Sequence, residues 1–212
     1  MKARVKVVGE DTIQIEHARL GYHALWRENE WKGKVTDRQV CTIIFSQSEV
    51  DEYKKAVSFV LELLRKKNKN VKDVNDVKYE RFVRYEKGDI LSFNLKTSNH
   101  KDYPATYIDS RGRVVRNPGE LGIESKVFYE GCRVNCKIQF NVTEERGGDL
   151  NLWSNLLAIQ FAGHDDRLGG LSDEEVASGF GEVDVSLPTF ESDDPEVNDP
   201  EVNDEDVDDL FS

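Results

Sequence analysis

The clearest pattern along the chain is an alternation of apolar and polar residues with a period of two. From Arg133 to Val142 every second residue is apolar, and the residues between are polar or basic. Because successive side chains of a β-strand point to opposite faces, this segment predicts a strand with one buried and one solvated, basic face. Shorter alternations predict strands at 3–7, 13–17 and 91–95, and apolar runs predict more fully buried strands at 38–45 and 156–161.

One helix is predicted between residues 48 and 67. Apolar side chains recur at helical spacing from Val50 to Leu64, and three basic residues follow at 65–67, where they complement the helix dipole. Ser48 can cap the first turn with Asp51 three residues further on. We expect this helix to lie across the sheet or to close its open end.

The balance of elements indicates a mainly β protein. Many strands, one clear helix and long connections at 19–35, 69–88 and 99–130 favour a small Greek-key barrel with elaborated loops over a doubly wound sheet.

Charge divides the chain sharply. All 29 Lys and Arg residues lie at or before Arg167, whereas residues 172–212 hold 16 of the 41 Asp and Glu residues. Residues 1–171 therefore carry a net charge of +4 and residues 172–212 a net charge of −16. The acidic segment has few apolar residues and repeats Asp-Pro-Glu-Val-Asn-Asp from Asp194 and from Asp199. We expect one folded domain at 1–171, then a disordered acidic tail at 172–212.

The absence of membrane and export signals indicates the location of the protein, and the number and placement of its cysteines indicate their chemistry. No apolar run reaches the roughly 20 residues that span a bilayer, and the basic N-terminus leads into a strand pattern instead of a signal peptide, so we expect a cytoplasmic protein. Cys41, Cys132 and Cys136 are an odd set within apolar strand patterns, which predicts free core thiols; a metal or redox role is the alternative.

Enzyme motifs are also missing. The sequence has no phosphate-binding loop, nucleophile elbow, HExxH helix or CxxC pair, and we expect no cofactor. His164-Asp165-Asp166 could hold a divalent cation, as nuclease carboxylates do. Glycines at 163, 169 and 170 favour a polar turn for this segment instead.

Aromatic and basic residues interleave in three patches, a composition that suits unpaired nucleic acid. Aromatic rings can stack on bases with little dependence on base identity, while cations follow the phosphates. The patches comprise Tyr22, Trp26, Trp31, Lys32, Lys34 and Arg38; Tyr79, Arg81, Phe82, Arg84 and Tyr85; and Tyr103, Tyr107, Arg111, Arg113 and Arg116. A hairpin tip is predicted at 110–113, the basic face of strand 133–142 adds Arg133 and Lys137, and Trp153 and Phe93 are expected in the core.

Four stretches resemble the single-stranded DNA-binding proteins of tailed bacteriophages. They read ALWRENEWKGKVTDRQVCTIIF (24–45), KGDILSFNL (87–95), YPATYIDSRGRVV (103–115), and FYEGCRVNCKIQFNV through LWSNLLAIQFAGHDDRLGG (128–170). The resemblance implies an OB-fold that binds single strands during phage DNA replication, recombination and repair in the infected bacterial host.

The end of the chain, DVDDLFS, is similar to the acidic, phenylalanine-bearing C-termini by which such proteins recruit polymerase and helicase-primase, although here Ser212 follows Phe211. We expect the end of the tail to bind these partners and to inhibit DNA binding by occupying the groove. The residues expected to do so are Asp204, Glu205, Asp206, Asp208, Asp209, Leu210 and Phe211.

The sequence thus predicts a non-enzymatic, sequence-independent single-stranded DNA-binding protein whose tail competes for its own DNA groove. Two alternatives stay open: a metal-dependent nuclease using His164, Asp165 and Asp166, and a protein-directed acidic interaction module. We expect single-stranded DNA and replication proteins as partners and no membrane, and weak self-association is left open.

Overall fold

The computed structural model describes residues 2–25, 28–88, 90–109, 111–115 and 127–168. In chain order the strands are β1 (Arg4–Val7), β2 (Thr12–Ala24), β3 (Asn29–Trp31), β4 (Lys34–Thr36), β5 (Arg38–Ser46), β6 (Phe82–Lys87), β7 (Ile90–His100), β8 (Thr106–Ile108), β9 (Val114–Val115), β10 (Arg133–Glu144) and β11 (Leu150–Gly163). The helix α1 (Val50–Lys67) follows a 3₁₀ turn at Gln47–Glu49. The predicted acidic tail lies outside the described residues.

The strands form one main sheet in the order β6-β7-β5-β2-β10-β11-β8-β9, with β1 paired to β2 and a separate β3–β4 hairpin. All pairs are antiparallel except β8 with β11. Three successive long strands, β2, β5 and β7, lie side by side, and β10 returns to the other side of β2. This is a Greek-key order, and it confirms the prediction of a mainly β fold.

The Greek-key sheet is not closed into a barrel, because within the described residues no strand ladder joins β7 to β11. Side chains bridge the two strands instead. The Asn99 amide donates to Leu156 O and accepts from Leu156 N, both at 2.8 Å, and Ser154 Oγ donates to Lys96 O. We call this side-chain-bridged gap between β7 and β11 the seam.

The core lies between the curved sheet and α1. Alternation directs Val134, Ile138 and Phe140 of β10 into it, as the sequence predicted. The helix adds Ala56, Val60 and Leu64 from one face. All three cysteines are free and buried, which confirms the prediction of core thiols. Burial raises the pKa of the Cys136 thiol to about 12.

Two local predictions were wrong in detail. The segments predicted as loops contain the end of β2, the β3–β4 hairpin, β6 and the strands that flank the predicted hairpin tip at 110–113. β3, β4, β8 and β9 have only two or three residues, too few to produce a periodic signal, and burial does not alternate along the six residues of β6. The helix begins at Val50 after a turn in which Ser46 N donates to Glu49 Oε2 at 2.9 Å, so Ser46 and Glu49 take the roles predicted for Ser48 and Asp51.

Among the described residues, no helix combines the length and the apolar character needed to cross a bilayer.

Candidate nucleic-acid interface

Two arginines and two aromatic rings meet at the seam. The guanidinium carbons of Arg38 and Arg81 lie 5.2 Å and 5.4 Å from the centroid of the Trp153 ring on β11. The ring of Tyr79 lies 4.1 Å from Trp153, centroid to centroid, at an interplanar angle of 39°. We call Arg38, Tyr79, Arg81 and Trp153 the seam cluster.

Strand alternation places Trp153 on the outer surface. Its neighbours Leu152 and Ser154 are fully buried, so the side chain between them points away from the core and is half-buried. Arg81 Nε donates to Leu152 O at 3.3 Å, which holds that guanidinium beside the indole. Arg38 enters from the start of β5.

Main-chain hydrogen bonds hold Tyr79 beside Trp153. Lys78 N donates to Leu150 O at 2.9 Å, and Leu152 N donates to Lys78 O at 3.2 Å. Tyr79 itself adopts a positive φ of 72°, a left-handed conformation that costs a residue with a side chain about 1 to 3 kcal/mol. Such strain persists only where the surroundings impose it, and here the bridge from Lys78 to β11 does so.

The seam cluster carries positive charge that no carboxylate neutralises within the described residues. Neither Arg38 nor Arg81 forms an ion pair there. Burial lowers the pKa of Arg81, and the positive charge of Arg38 lowers that pKa further, although an arginine stays protonated. Two charged guanidiniums at one indole therefore form a site that favours an anion.

The β3–β4 hairpin presents a second aromatic and basic surface. Trp31 is 68% exposed, with Lys32 Nζ 5.9 Å from its ring centroid and Lys34 opposite it in the hairpin register. Positive φ values at Lys32 and Gly33 form the tight turn that joins two such strands. The Tyr22 hydroxyl lies 3.3 Å from Asn29 Oδ1 and so connects β2 to this hairpin. Trp26 falls outside the described residues.

The remaining exposed candidates are scattered. Tyr103 is 78% exposed, its ring centroid 6.5 Å from that of His100. The predicted hairpin around 110–113 is formed by β8 and β9, with Arg111 exposed and Arg113 paired to Asp109 at 2.8 Å. On β6, Tyr85 is exposed and Arg84 pairs with Glu86. Lys137 is exposed on β10, and Arg116 lies outside the described residues.

Three predicted contact residues are corrected, because the structure buries them or engages them in the fold. Phe82 is 1% exposed and stacks on Phe140, and Tyr107 is 6% exposed with its ring edge-on to Phe128. Arg133 lies between Glu49 Oε1 at 3.2 Å and Asp165 Oδ2 at 2.5 Å. A base could not reach either ring, and the charge of Arg133 is already neutralised.

Trp153 is the residue that sequence reasoning missed, since it was expected in the core. The signal was present in the alternation of β11, which assigns Leu150, Leu152, Ser154 and Leu156 to one face and Trp153 to the other. The phase of the alternation, and not the hydrophobicity of Trp153, therefore indicated its position on the outer face.

In the candidate metal cluster His164-Asp165-Asp166, the carboxylate of Asp165 is engaged in ion pairs within the fold. Asp165 pairs with Arg133 and more distantly with Arg19, whose Nε is 3.9 Å away. Burial raises the pKa of Asp165, but hydrogen bonds from Asp166 N and Arg133 outweigh it and lower the pKa overall. The part of the chain that the structure describes contains no group of three or more residues that could hold a metal ion.

Comparison with known proteins gives a fold and not a family. No family model matches the chain, and neither does any curated protein.

Among solved structures, a single-stranded DNA-binding protein from bacteriophage Enc34 in complex with ssDNA is similar at a TM-score of 0.55 and 16% identity, over 79% of this chain and 99% of that one. A second structure of the Enc34 protein matches at a TM-score of 0.53 and 14% identity, over 83% of this chain and 99% of that one. Its C-terminal truncation matches at 0.54 and 15%, over 79% and 98%. The chain therefore shares the fold of these phage proteins.

Proposed function

We propose that this protein binds single-stranded DNA without sequence preference, catalyses no reaction, and acts in phage DNA replication, recombination and repair. The observation that carries the proposal is the seam cluster, in which two guanidinium carbons lie within 5.4 Å of the Trp153 ring centroid. Neither guanidinium has a carboxylate partner in the described chain.

The chemistry of the seam cluster suits unpaired nucleotides. Stacking of a base on an aromatic side chain contributes about 1 to 3 kcal/mol and tolerates every base, because each base has a π-face. Arg38 and Arg81 add charge-assisted hydrogen bonds to phosphates, which carry no sequence information. Duplex DNA hides its base faces, so the aromatic contribution favours single strands.

Two further observations support this function. The exposed Trp31, with Lys32 and Lys34, repeats the combination of ring and cation on a projecting hairpin. The Enc34 protein that shares the fold is described in complex with ssDNA.

The proposal is tested by titrating the intact protein with a thymine oligonucleotide and following tryptophan fluorescence at several salt concentrations. Each phosphate contact contributes about 0.7 to the slope of log K against log[salt] for a single strand. Arg38→Gln with Arg81→Gln should therefore lower the slope by about 1.4 and weaken binding at low salt.

Lys66→Gln with Lys67→Gln is the matched control, because it removes the same charge from the exposed end of α1. If both double variants weaken binding equally, general charge and not the seam cluster governs affinity, and the proposal fails at this site.

We further propose that residues 172–212 compete intramolecularly with DNA for its binding site and act as a docking segment for polymerase and helicase-primase. Sixteen carboxylates can imitate phosphates and Phe211 a stacked base. Tethering would hold the tail at a millimolar-scale effective concentration. DNA would displace it and release the acidic end, with Asp208, Asp209, Leu210 and Phe211, to partners.

A further inference from the structure

A slot of about 380 Å³ with polar and apolar walls lies on the outer face of β10 and β11, beside the β8–β9 hairpin. This volume falls within the range of small-ligand sites, roughly 300 to 1,000 Å³. Polar side chains of Gln14, Asn135, Lys137 and Gln160 line it, while Ile108 and Ala158 form apolar parts of the wall. Among the described residues that line it there is no Asp or Glu; the carboxylate bonded to Gln14, that of Glu16, is paired with Lys6.

Hydrogen bonds to the main chain fix the orientation of the side-chain amides of Asn135 and Gln160, which lie at the centre of the slot. Asn135 Oδ1 accepts from His17 N at 3.0 Å, and Gln160 Nε2 donates to Asp109 O at 2.8 Å. Asn135 Nδ2 then donates to Gln160 Oε1 at 3.0 Å. Because a backbone N–H only donates and a backbone carbonyl only accepts, neither amide can be reversed.

This arrangement leaves donors in excess. An amide NH₂ group has two hydrogens, so Asn135 and Gln160 each keep one after the bonds above. The exposed Lys137 ammonium has three, and it pairs with no carboxylate of the described residues. A slot with spare N–H donors, one cation and no carboxylate suits an oxyanion.

The slot also lies in line with the seam cluster. Trp153 pairs with Asn141 across the β10–β11 ladder, and Ala158 pairs with Lys137. Along β11 the slot residues Ala158 and Gln160 are five and seven positions beyond Trp153, about 17 to 23 Å at the rise of a strand. The register shift between Lys137 and Ile138 leaves Leu157 as an extra residue of β11, so Ala158 and Gln160 follow Trp153 on the outer face of that strand.

We infer that the slot is a second contact for the phosphodiester backbone of the DNA strand that stacks at the seam cluster. A phosphate lies against Lys137 and the free amide hydrogens of Asn135 and Gln160, and the sugar lies against Ile108 and Ala158. This inference rests on the proposed function, and it assigns the outer face of β10 and β11 to the path of the strand.

The length of the DNA provides the test, because a short strand held at the seam cluster does not extend to the slot. Binding of a thymine trinucleotide is compared with that of a thymine oligonucleotide of about 16 nucleotides, the upper site size for an OB-fold. Lys137→Gln should weaken binding of the long strand and lower its salt slope by about 0.7, and it should leave the trinucleotide unchanged. Lys137→Arg should restore both quantities for the long strand.

A second variant changes volume and not charge. Ala158→Met fills part of the slot and should weaken binding of the long strand alone; a thermal melt confirms that the variant is folded. Lys66→Gln on α1 removes the same charge as Lys137→Gln and should leave the slope for the long strand unchanged.

The outcomes separate this inference from the proposed function. If Lys137→Gln leaves binding of the long strand unchanged while the Arg38 and Arg81 variant weakens both strands, the slot is no contact and the seam cluster stands. Equal losses for both strands in Lys137→Gln would overturn the inference in favour of a general charge effect. If the Arg38 and Arg81 variant changes neither strand, the proposed function itself fails.

Discussion

Tyr79 decides where a base can stack at the seam. The centroid of its ring lies 4.1 Å from that of Trp153, and the residue remains 38% exposed. Lys78 Nζ lies 5.3 Å from the same ring and the guanidinium of Arg81 5.8 Å from it. Since Tyr79 is more exposed than Trp153, we expect an incoming base to stack on Tyr79.

Tyr79→Leu should weaken binding of single-stranded DNA by about 1 to 3 kcal/mol, because leucine keeps the bulk and loses the π-face. Tyr79→Phe is the control, since it retains the ring and should bind almost as the parent does. Fluorescence titration measures both affinities, and thermal melting measures stability. A loss as large in Tyr79→Phe as in Tyr79→Leu would mean that the hydroxyl and not the stack matters.

The same residues define what a sequence can reveal at this scale. Phe82 and Tyr79 both stand in a run of alternating rings and cations, yet one is core and the other surface. Composition identified the run but not the phase of β6, whose strand begins only at Phe82. The meeting of Arg38, Arg81 and Trp153 depends on three separate segments, and no local pattern contains it.

At the scale of elements, Arg133 ties three parts of the fold together. It begins β10, bonds to His17 O of β2 at 3.0 Å, and pairs with Glu49 before α1 and with Asp165 after β11. Glu49 is almost fully buried and also accepts from Ala3 N at 2.8 Å. This network joins the N-terminal segment, the helix start and the end of the last strand.

Glu49→Gln should destabilise the protein by about 3 kcal/mol, the lower end of the range for breaking a buried pair, because Arg133 keeps Asp165. Burial raises the pKa of Glu49, but hydrogen bonds from Ala3 and Ser46 and the charge of Arg133 outweigh it, so the pKa is lowered below 4.5. The ionised form therefore stabilises the fold above about pH 4.5, and this stability is lost as the pH falls through the lowered value.

Denaturant unfolding between neutral pH and about pH 3 measures this effect. The difference in stability between the parent and Glu49→Gln should be constant near neutrality and shrink on acidification, because the parent protonates the carboxylate that the variant lacks. Glu62→Gln, on the exposed part of α1, is the control. A difference that stayed constant down to pH 3 would assign the destabilisation to packing alone.

Periodicity predicted the helix, β10 and central parts of the other long strands, because a buried face that repeats over several residues gives a clear signal. The predicted segments 13–17, 91–95 and 156–161 cover only parts of β2, β7 and β11. β10 matches its predicted start at Arg133, and α1 ends at the predicted Lys67. The seam could not be predicted, because it depends on Asn99 and Ser154 supplying side-chain hydrogen bonds where a ladder would otherwise run. Single polar residues inside strands carry no periodic signal.

For the whole molecule, the separation of charge is the dominant feature. Residues 1–171 carry a net charge of +4 and residues 172–212 a net charge of −16, so the domain that contains the seam cluster is covalently joined to an excess of carboxylates. Attraction between them is strongest at low ionic strength, where the Debye length is longest. Any competition by the tail must therefore weaken as salt is added.

Removing residues 172–212 should tighten binding of single-stranded DNA, most strongly near 50 mM salt, because both self-occupancy and repulsion of the strand disappear. A chain of full length with the sixteen carboxylates replaced by amides separates charge from length, and it should bind like the truncated chain. Phe211→Ser in the acidic tail tests the ring alone and should have a smaller effect. The measurement is a salt series of fluorescence titrations on all four proteins. Equal affinities of the intact and truncated chains near 50 mM would show that the tail is no rival for the DNA site, since that is where the two anions compete most strongly.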